Sequence, residues 1–536
     1  MNSVVSDSTS SCRVLVAEKI ADIGLAKLRH AGHQVDVRTG MSSDELLEAV
    51  QGANALIVRS ATQVTAEVIQ AGKDLVIVGR AGVGLDNVDV AVATQHGVLV
   101  VNDTLSNITS AAEHTMALML AQARNIPQAH SALVQGRWER SRWEGIELCD
   151  KTLGIIGLGR IGRLVAERAL GFAMRVIASD PYVSEEIARR SVMSLMSVEE
   201  LVAQSDFITI HVARTPDTIG LINSELLRLA KPNLRIINVS RGGIVHEADL
   251  AEAVVSGRIA GAALDVFDGE PITESPLFGL DSVVVTPHLG ASTSEAQSKA
   301  GDAIAEQVLL GLAGEFVPAA VNVPAKEVPD ALRPYLPLGE QLGRLFGTLC
   351  DRLPEVLDVE LCGEIGKFDN AVVVMSVVRG LLSAVSDMHV SYVNALDMAK
   401  ERGMEVRGNS TPTVKDHVNL LTVRGGDHSL GGRLDGVHKE PVLVSADGHT
   451  LHMSPAQHMI FLSNEDRPGI IGLVGTLLGD AGINIQDMNV GRSSTGEGAS
   501  MVIATAQPLP KQVAVELEAI DGVKAARYMG LAVAPA

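Results

Sequence analysis

Three side chains with complementary acid–base chemistry lie between residues 238 and 291 of this chain. Arg241 stands in NVSRGG, Glu270 in LDVFDGEP and His288 in TPHLGAS, each just after an apolar run typical of a strand. A guanidinium can hold a carboxylate through two parallel hydrogen bonds. A histidine titrates near neutral pH, and a carboxylate beside it would raise its pKa and fix its tautomer. The set suits oxidation of a 2-hydroxy acid, in which the histidine takes the hydroxyl proton and hydride leaves for a nicotinamide.

The residue types alone leave simpler interpretations open. An arginine at a strand end is often a surface ion pair, a glutamate before proline is often a turn residue, and an isolated histidine is often structural. Their common position at strand carboxyl ends favours a shared site, because open α/β sheets bind their ligands at that edge.

A nucleotide site is indicated by the stretch from Thr152 to Asp180, which reads as strand, turn, helix, strand and acid. Gly157, Gly159 and Gly162 have the GxGxxG spacing that turns the chain, admits a pyrophosphate and brings helix close to strand. The N-terminus of the helix offers unpaired N–H groups and a positive dipole end. Asp180 would accept hydrogen bonds from a ribose diol and repel a 2′-phosphate, so the pattern predicts NAD rather than NADP. A turn without a ligand is the alternative.

Short apolar runs alternate with helical patterns over the first part of the chain. We therefore expect parallel sheets to position these residues. This alternation predicts an α/β protein with two doubly wound, Rossmann-like lobes. A helix predicted at Ser294–Leu312 would cross back to the first lobe and leave a ligand cleft between the two. Strands are expected at Val14–Ala17, Val35–Val37, Ala55–Val58, Leu75–Val78, Val98–Val101, Leu153–Ile156, Arg175–Ser179, Phe207–Val212, Arg235–Val239, Gly261–Asp265 and Val283–Thr286.

The second part of the chain has a different pattern. The proline-punctuated stretch from Val317 to Pro334 predicts a linker. Residues 335–450 mix helical patterns with glycine-rich β segments and predict an α+β domain. The last segment reads as βαββαβ with a hairpin at Ser493–Gly498. The expected domain boundaries are 1–103 with 291–322, 104–290, a linker at 323–334, 335–450 and 457–536.

Composition excludes several classes of function. The 536 residues carry a net charge of −20 and only 3% aromatic residues, which argues against nucleic acid or an anionic membrane as a partner. We find no apolar run of the roughly 18 residues that a membrane span needs. The four cysteines, Cys12, Cys149, Cys350 and Cys362, are widely spaced and indicate neither a disulfide framework nor a metal site. A reducing, cytoplasmic setting is therefore expected.

The motifs GLGRIG, NVSRGG, LDVFDGEP and HLGAST together resemble the D-2-hydroxyacid dehydrogenase family over about residues 13–322. The resemblance implies a substrate lobe and an NAD lobe. It implies that Arg241 binds the substrate carboxylate, that Glu270 is the partner of the histidine and that His288 is the general acid/base. The NAD contacts that it implies are Gly157, Gly159, Arg160, Ile161, Gly162, Asp180, Val212, Val239 and, for the carboxamide, Asp265.

Three more stretches, VRSATQVT, GRAGVGLDNVD and RWERSRWEGIEL, narrow the resemblance to members that oxidise 3-phosphoglycerate at the start of serine synthesis. Arg59 would then face the substrate phosphate, and the amides near Val83 and Gly84 would hold its carboxylate. Arg80 and Arg140 are further candidates, with Arg140 directed to the site of a neighbouring subunit. From the residues alone, Arg59 and Arg80 could equally be ordinary charges at strand ends, and AGVG only a turn.

The C-terminal segment, with NEDRPGIIG and GINIQDM, resembles an ACT domain, a module that binds amino acids between paired copies. Asn464, Asp466 and Asn484 match positions that bind serine in related dehydrogenases, and carboxamides with a carboxylate suit an amino acid. A role in subunit contact alone is the alternative. Together with the middle domain, this segment resembles the long form of the family and implies a homodimer or homotetramer with L-serine as effector.

Two other functions remain open. A glyoxylate/hydroxypyruvate reductase could use the same scaffold, although the phosphate-facing arginines and the ACT domain argue against it. An NAD-sensing corepressor is the non-enzymatic alternative, since related proteins use this fold in that role. The ACT segment suits feedback by an amino acid better than it suits recruitment to chromatin.

Overall fold

The computed structural model describes residues 11–183, 194–323, 328–350, 352–386, 388–413, 418–492 and 498–531. Their strands form four sheets. The strands are β1 Arg13–Val16, β2 Gln34–Val37, β3 Ala55–Val58, β4 Ile77–Arg80, β5 Leu99–Asn102, β6 Thr152–Ile156, β7 Arg175–Ser179, β8 Ser194–Leu195, β9 Phe207–Ile210, β10 Arg235–Asn238, β11 Gly261–Leu264, β12 Val283–Val285, β13 Val356–Gly363, β14 Glu405–Thr411, β15 Asn419–Gly425, β16 His428–Asp435, β17 Glu440–Ala446, β18 His449–Met453, β19 His458–Asn464, β20 Ile485–Arg492, β21 Ala499–Thr505 and β22 Val523–Met529.

Helices alternate with the strands in the first half of the chain and cover the sheets in the second half. They are α1 Asp22–His30, α2 Ser43–Ala49, α3 Ala66–Ala71, α4 Val90–Gln95, α5 Ile108–Ala123, α6 Ile126–Val134, α7 Arg160–Gly171, α8 Val198–Gln204, α9 Ser224–Leu227, α10 Glu247–Val255, α11 Ser294–Leu312, α12 Tyr335–Leu349, α13 Ala371–Val385, α14 Ala395–Glu401, α15 Ile470–Asp480 and α16 Lys511–Glu518, with a 3₁₀ turn at Glu364–Lys367.

The first lobe is a parallel sheet of five strands in the order β2-β1-β3-β4-β5. Its central strands are continuous Val/Ile/Leu runs that are buried on both faces, as parallel sheets covered by helices require. Its carboxyl edge carries Arg80 at the end of β4 and the loops with Lys19 and Arg59. These loops face the second lobe across the predicted cleft, because Arg241 of that lobe approaches Asp86.

The second lobe is a parallel sheet of seven strands in the order β12-β11-β10-β9-β6-β7-β8. The strand order reverses between β6 and β9, and that switch point is where doubly wound sheets bind nucleotides. The glycine turn follows β6 on one side of the switch. Glu270 and His288 follow β11 and β12 on the other side, so one edge of one sheet carries both motifs.

Helix α11 begins soon after His288 and returns to the first lobe, where it packs on α1 and β4. Ile304, Ala305 and Val308 of this helix are buried in the first lobe's core. A methyl group at Gly24 of α1 would overlap with the carbonyl of Gly301, so the two helices touch along their backbones. The bounds and the crossing predicted for this helix are therefore confirmed.

The segment predicted as a linker is buried at several of its described residues and is therefore not an exposed spacer. Val323, Val328 and Leu332 are 3%, 8% and 0% exposed and join a core shared by the first lobe and the domain that follows. Apolar side chains between the prolines account for this, because burying them stabilises the packed arrangement. Residues 324–327 lie outside the described part of the chain. The following helix begins at Tyr335.

The third sheet has six strands in the order β14-β13-β15-β16-β17-β18, and the fourth has the order β20-β21-β19-β22 of a βαββαβ fold. The long helices α12 and α13 pack closely, since a methyl group at Gly343 would overlap with the carbonyl of Val377. The predicted hairpin at Ser493–Gly498 falls mostly on residues 493–497, outside the described part. Among the described residues, we find no helix with the length and apolar character needed to cross a bilayer.

Candidate active site

His288 sits in a turn with an uncommon backbone conformation. The turn, Thr286–Gly290, follows β12, and His288 has φ of +54°, in the left-handed region. A residue with a side chain rarely adopts this conformation, because its Cβ crowds the backbone, and it persists only where the surroundings hold it. The contacts that hold this turn are therefore part of the site.

Asp265 makes four of those contacts from the end of β11. Its carboxylate accepts hydrogen bonds from Leu289 N at 2.7 Å, Gly290 N at 2.8 Å and the Thr286 hydroxyl at 2.6 Å, and its carbonyl accepts from His288 N at 2.8 Å. The side chain is fully buried. Burial would raise the pKa of Asp265, but donors from His114, Thr286 and Leu289 hold that pKa below its ordinary value.

Glu270 pairs directly with His288. The distance from His288 Nδ1 to Glu270 Oε2 is 2.5 Å, and Glu270 Oε1 accepts from Phe267 N at 2.8 Å. Burial would raise the pKa of Glu270, but the hydrogen bonds from His288 and Phe267 N outweigh it and lower that pKa. An ionised carboxylate can only accept, so Nδ1 carries a proton and Nε2 is left to exchange one with a substrate.

Arg241 reaches from the second lobe to the first. Its Nη1 donates to Ser240 O at 2.7 Å, and its Nε lies 3.7 Å from Asp86 Oδ2. A methyl group at Gly84 would lie 2.9 Å from Arg241 Nη2, so the guanidinium lies against that backbone. The two predicted carboxylate-binding features, Arg241 and the Val83–Gly84 turn, thus lie together.

Arg80 and Arg59 add positive charge to the same face of the first lobe. Arg80 is mostly buried, and its Nε has no hydrogen-bond partner among the described residues. Burial and then the nearby charge of Arg241 lower the pKa of Arg80, with Arg59 also among the neighbouring cations. Arg59 lines a cavity with Lys19, Gly82, Asn107 and Gln297, among other residues. An anionic ligand would offset this concentration of positive charge.

The three glycines of the nucleotide turn have three different surroundings. Gly157 has φ of +94°, and a methyl group there would lie 2.5 Å from His211 O. A methyl group at Gly162 would overlap with Gly157 O, so this glycine lets α7 approach the strand. At Gly159 no atom lies within 4 Å of the methyl position, which leaves the space beside the N-terminus of α7 open. The turn therefore fits a pyrophosphate held by backbone amides.

Asp180 lies at the end of β7, where its carboxylate braces the same turn. Oδ2 accepts from Leu158 N at 2.7 Å, and Oδ1 accepts from Tyr182 N at 2.8 Å. Each oxygen keeps a second lone pair, so a ribose diol can still bind. The side chain is half-buried at the rim of the crevice.

The other predicted NAD contacts lie around the same crevice. Val212 touches the glycine turn and Val239 the histidine turn, since methyl groups at Gly157 and Gly290 would meet them at 2.8 and 3.0 Å. Arg160 and Ile161 open α7, and Arg160 is exposed. Contact of Asp265 with a carboxamide stays a prediction, because its oxygens are engaged by the histidine turn.

The remaining predicted residues lie away from this cleft or at its margins. Arg140 is exposed in the loop after α6. Asn464 is buried at the end of β19 and its Nδ2 donates to Glu465 O, while its Oδ1 has no partner among described residues. Asp466 and Asn484 are exposed. Binding of an effector by these three residues stays a prediction.

Sequence reasoning missed two residues of α5 that reach the histidine turn. Ser110 Oγ donates to Gly290 O at 2.8 Å, and His114 Nε2 lies 3.2 Å from Asp265 Oδ1. Both contacts join positions that are far apart in the chain. The available signal was weak: a serine and a histidine four residues apart in an alanine-rich helix that carries other polar residues as well.

Three family models match the chain in succession. The NAD-binding domain of D-isomer specific 2-hydroxyacid dehydrogenases matches residues 116–290. The D-3-phosphoglycerate dehydrogenase intervening domain matches residues 331–436, and the ACT domain matches residues 458–522.

Curated relatives match over nearly the whole chain. It is 46% identical over 519 residues to D-3-phosphoglycerate dehydrogenase of Mycobacterium tuberculosis, covering 95% of this chain and 98% of the relative. It is 41% identical over 528 residues to the enzyme of that name from Archaeoglobus fulgidus, covering 97% and 100%.

Among solved structures, the TT0316 protein from Thermus thermophilus is 33% identical with a TM-score of 0.54, covering 58% of this chain and 99% of that one. A glyoxylate reductase from Paecilomyes thermophila is 25% identical with a TM-score of 0.53, covering 58% and 98%.

Proposed function

The chain belongs to the D-3-phosphoglycerate dehydrogenase family, and we propose that it oxidises 3-phospho-D-glycerate to 3-phosphohydroxypyruvate. This reaction is the first step of the phosphorylated route to L-serine. The observation that carries the proposal is the 2.5 Å pair of His288 and Glu270 beside a nucleotide turn on the same sheet edge. NAD, when bound, supplies the hydride acceptor.

The proposed reaction assigns one task to each residue of the catalytic set. Arg241 and the amides of Val83 and Gly84 hold the substrate carboxylate, which fixes the hydroxyl-bearing carbon. As the carbon–hydrogen bond breaks with its electron pair, the hydroxyl proton moves to Nε2 of His288. Glu270 stabilises the imidazolium that forms. Oxidation therefore releases one hydride equivalent and one proton, which matches conversion of an alcohol to a ketone.

Preference for a phosphorylated substrate follows from the positive charge on the first lobe. Arg59 lines the cavity there and Arg80 carries a buried Nε without a partner among the described residues. A phosphate brings about two negative charges and several acceptor oxygens to such a site. The fold alone does not separate this substrate from those of other 2-hydroxyacid dehydrogenases, because a glyoxylate reductase shares it.

We further propose that the protein is a homodimer or homotetramer and that its ACT domain takes L-serine as effector. Exposed Trp138, Val134, Leu133 and Ile126, which are 81%, 73%, 54% and 53% exposed, support subunit contact around α6. In such a contact Arg140 would approach the neighbouring subunit's site. The proposed domains are those predicted from the sequence, and a reducing cytoplasm is proposed because the four cysteines are widely spaced and form no disulfide framework pattern.

A substrate panel tests the proposal. Purified protein with NAD should form NADH faster with D-3-phosphoglycerate than with D-glycerate or D-lactate. Equal or lower rates with the phosphorylated acid would contradict the substrate. In the reverse direction, faster consumption of NADH with glyoxylate or hydroxypyruvate than with 3-phosphohydroxypyruvate would favour a reductase. No turnover with any 2-hydroxy acid would favour a binding protein. The same assay with and without L-serine tests the effector, and light scattering gives the oligomeric state.

A further inference from the structure

Helix α5 contacts the histidine turn at two points. Ser110 and His114 are four residues apart, so they lie on the same face of the helix. Ser110 Oγ donates to Gly290 O at 2.8 Å, in a fully buried hydrogen bond. His114 Nε2 lies 3.2 Å from Asp265 Oδ1 and 3.2 Å from Thr286 Oγ1.

The direction of the His114 bond follows from its partner. An ionised carboxylate has no proton to give, so His114 Nε2 must donate to Asp265. Asp265 in turn accepts from Thr286, Leu289 and Gly290 of the turn. His114 thereby orients the carboxylate that holds the turn, and Ser110 holds the carbonyl at the turn's far end.

The turn needs such support because His288 has a positive φ and, unlike a glycine, carries a Cβ that crowds the backbone in this conformation. Its φ of +54° is unfavourable for a residue with a side chain. Without contacts that fix both ends, the turn would move to a more favourable conformation and carry the imidazole with it. A displacement of about 1 Å from the reacting atoms can lower a rate about 100-fold.

We propose that Ser110 and His114 are positioning residues, which hold His288 in place through Asp265 and Gly290. They touch neither substrate nor cofactor in this role. The proposal rests on the proposed function, because a positioning role requires that His288 exchange a proton with substrate. Helix α5 follows directly on β5 of the first lobe, so the brace ties the turn to the element that joins the two lobes.

Paired substitutions at position 114 test the donor. His114→Leu removes it, and kcat for 3-phosphoglycerate oxidation should fall about 10- to 100-fold. KM for 3-phosphoglycerate should stay nearly unchanged, because its charged groups meet arginines elsewhere. His114→Gln places an amide N–H near the same position and should recover most of the loss. An unchanged kcat in His114→Leu, or a loss that His114→Gln does not relieve, would overturn the proposal.

Ser110 and Thr115 each carry a hydroxyl on the same helix. Replacing either hydroxyl while keeping the side-chain volume similar gives a matched comparison. Ser110→Ala removes the bond to Gly290 and should lower kcat about three- to tenfold, as loss of one buried hydrogen bond predicts. Thr115→Val is the control, because the Thr115 hydroxyl is buried but donates within its own helix to Ala111 O. It should leave kcat unchanged. Equal effects of the two substitutions would indicate a general role in helix stability and contradict the proposal.

Crystal structures of wild type and His114→Leu provide a readout that needs no turnover. The expected result is displacement of Thr286–Gly290 with an unchanged glycine turn at Gly157–Gly162. An undisplaced histidine turn would overturn the brace even if activity falls. Absence of wild-type turnover with every 2-hydroxy acid would instead refute the proposed function, while the structures would still decide whether the brace exists.

Discussion

The glycine turn and the histidine turn lie on the same edge of the same seven-stranded sheet, yet they reach their conformations in opposite ways. Gly157 adopts φ of +94° without strain, because it has no Cβ. His288 adopts φ of +54° although it has a Cβ, because the proposed chemistry requires its imidazole. The first turn has a glycine at the position of positive φ, whereas the second depends on contacts that hold a non-glycine residue in such a conformation.

This difference bears on what each turn can do. The glycine turn offers backbone amides and open space beside Gly159, so it can bind an anion by shape and dipole. The histidine turn presents an imidazole whose partners are Glu270 and, through Asp265, helix α5. A site that exchanges a proton needs an oriented side chain, and orienting it requires a network.

The largest expected effect tests the histidine turn. His288→Ala should lower kcat about 10²- to 10⁴-fold, because it removes the group that takes the substrate's hydroxyl proton. Affinity for NAD, measured by calorimetry, should change little, because the glycine turn is untouched. Glu270→Gln is the companion variant and should lose less, since the imidazole remains. Near wild-type turnover by His288→Ala would refute the assignment of general acid/base.

A second, smaller effect is expected at the glycine turn, where Gly157 and Gly159 should respond differently to substitution by alanine. Gly159→Ala should fold normally, because φ there is −69° and the methyl position is open, yet it should weaken NAD binding about 100-fold by filling the phosphate space. Gly157→Ala should lower stability by about 1–3 kcal/mol as well, because of its positive φ and the nearby His211 carbonyl. Calorimetry and thermal unfolding measure the two properties separately. Equal stability losses in both variants would contradict the distinction.

The contrast also explains which parts of the site the sequence could predict. Gly157, Gly159 and Gly162 lie within one strand–turn–helix unit, so their spacing alone indicated a nucleotide site. The element order predicted both lobes for the same reason. Ser110 and His114 gave no such signal, because their partners lie far along the chain and contact them only after the sheet and α5 have packed. The buried valines of the predicted linker were missed for a similar reason, since proline spacing does not reveal what packs between the prolines.

An intermediate effect of about tenfold is expected at Asp180, where the nucleotide turn reads the ribose. Asp180→Ala removes an acceptor for the ribose diol and a negative charge that repels a 2′-phosphate. The ratio of kcat/KM for NAD to that for NADP should fall about tenfold. Asp180→Asn is the control, because it keeps an acceptor for Leu158 N while losing the charge. Intact discrimination in both variants would show that NAD preference comes from another residue.

The smallest effect concerns the stability that Asp265 gives to the histidine turn as a function of pH. Because the folded pKa of Asp265 lies below the unfolded value of about 3.9, ionisation favours the folded state. That contribution is fully present above about pH 4 and is lost as pH falls through the folded pKa. Asp265→Asn lacks it at every pH and offers one accepting oxygen where Leu289 N and Gly290 N use two.

The thermal unfolding difference between wild type and Asp265→Asn should therefore shrink as the pH falls below about pH 4. Taking the difference removes the contribution of carboxylates common to both proteins. Ser110→Ala, which removes an uncharged contact to the same turn, should show a difference from wild type that does not vary with pH. A wild-type advantage over Asp265→Asn that grows in acid would mean that Asp265 is protonated in the folded protein. Its bonds to the two amides would then need another explanation, because a neutral carboxyl accepts more weakly than a carboxylate.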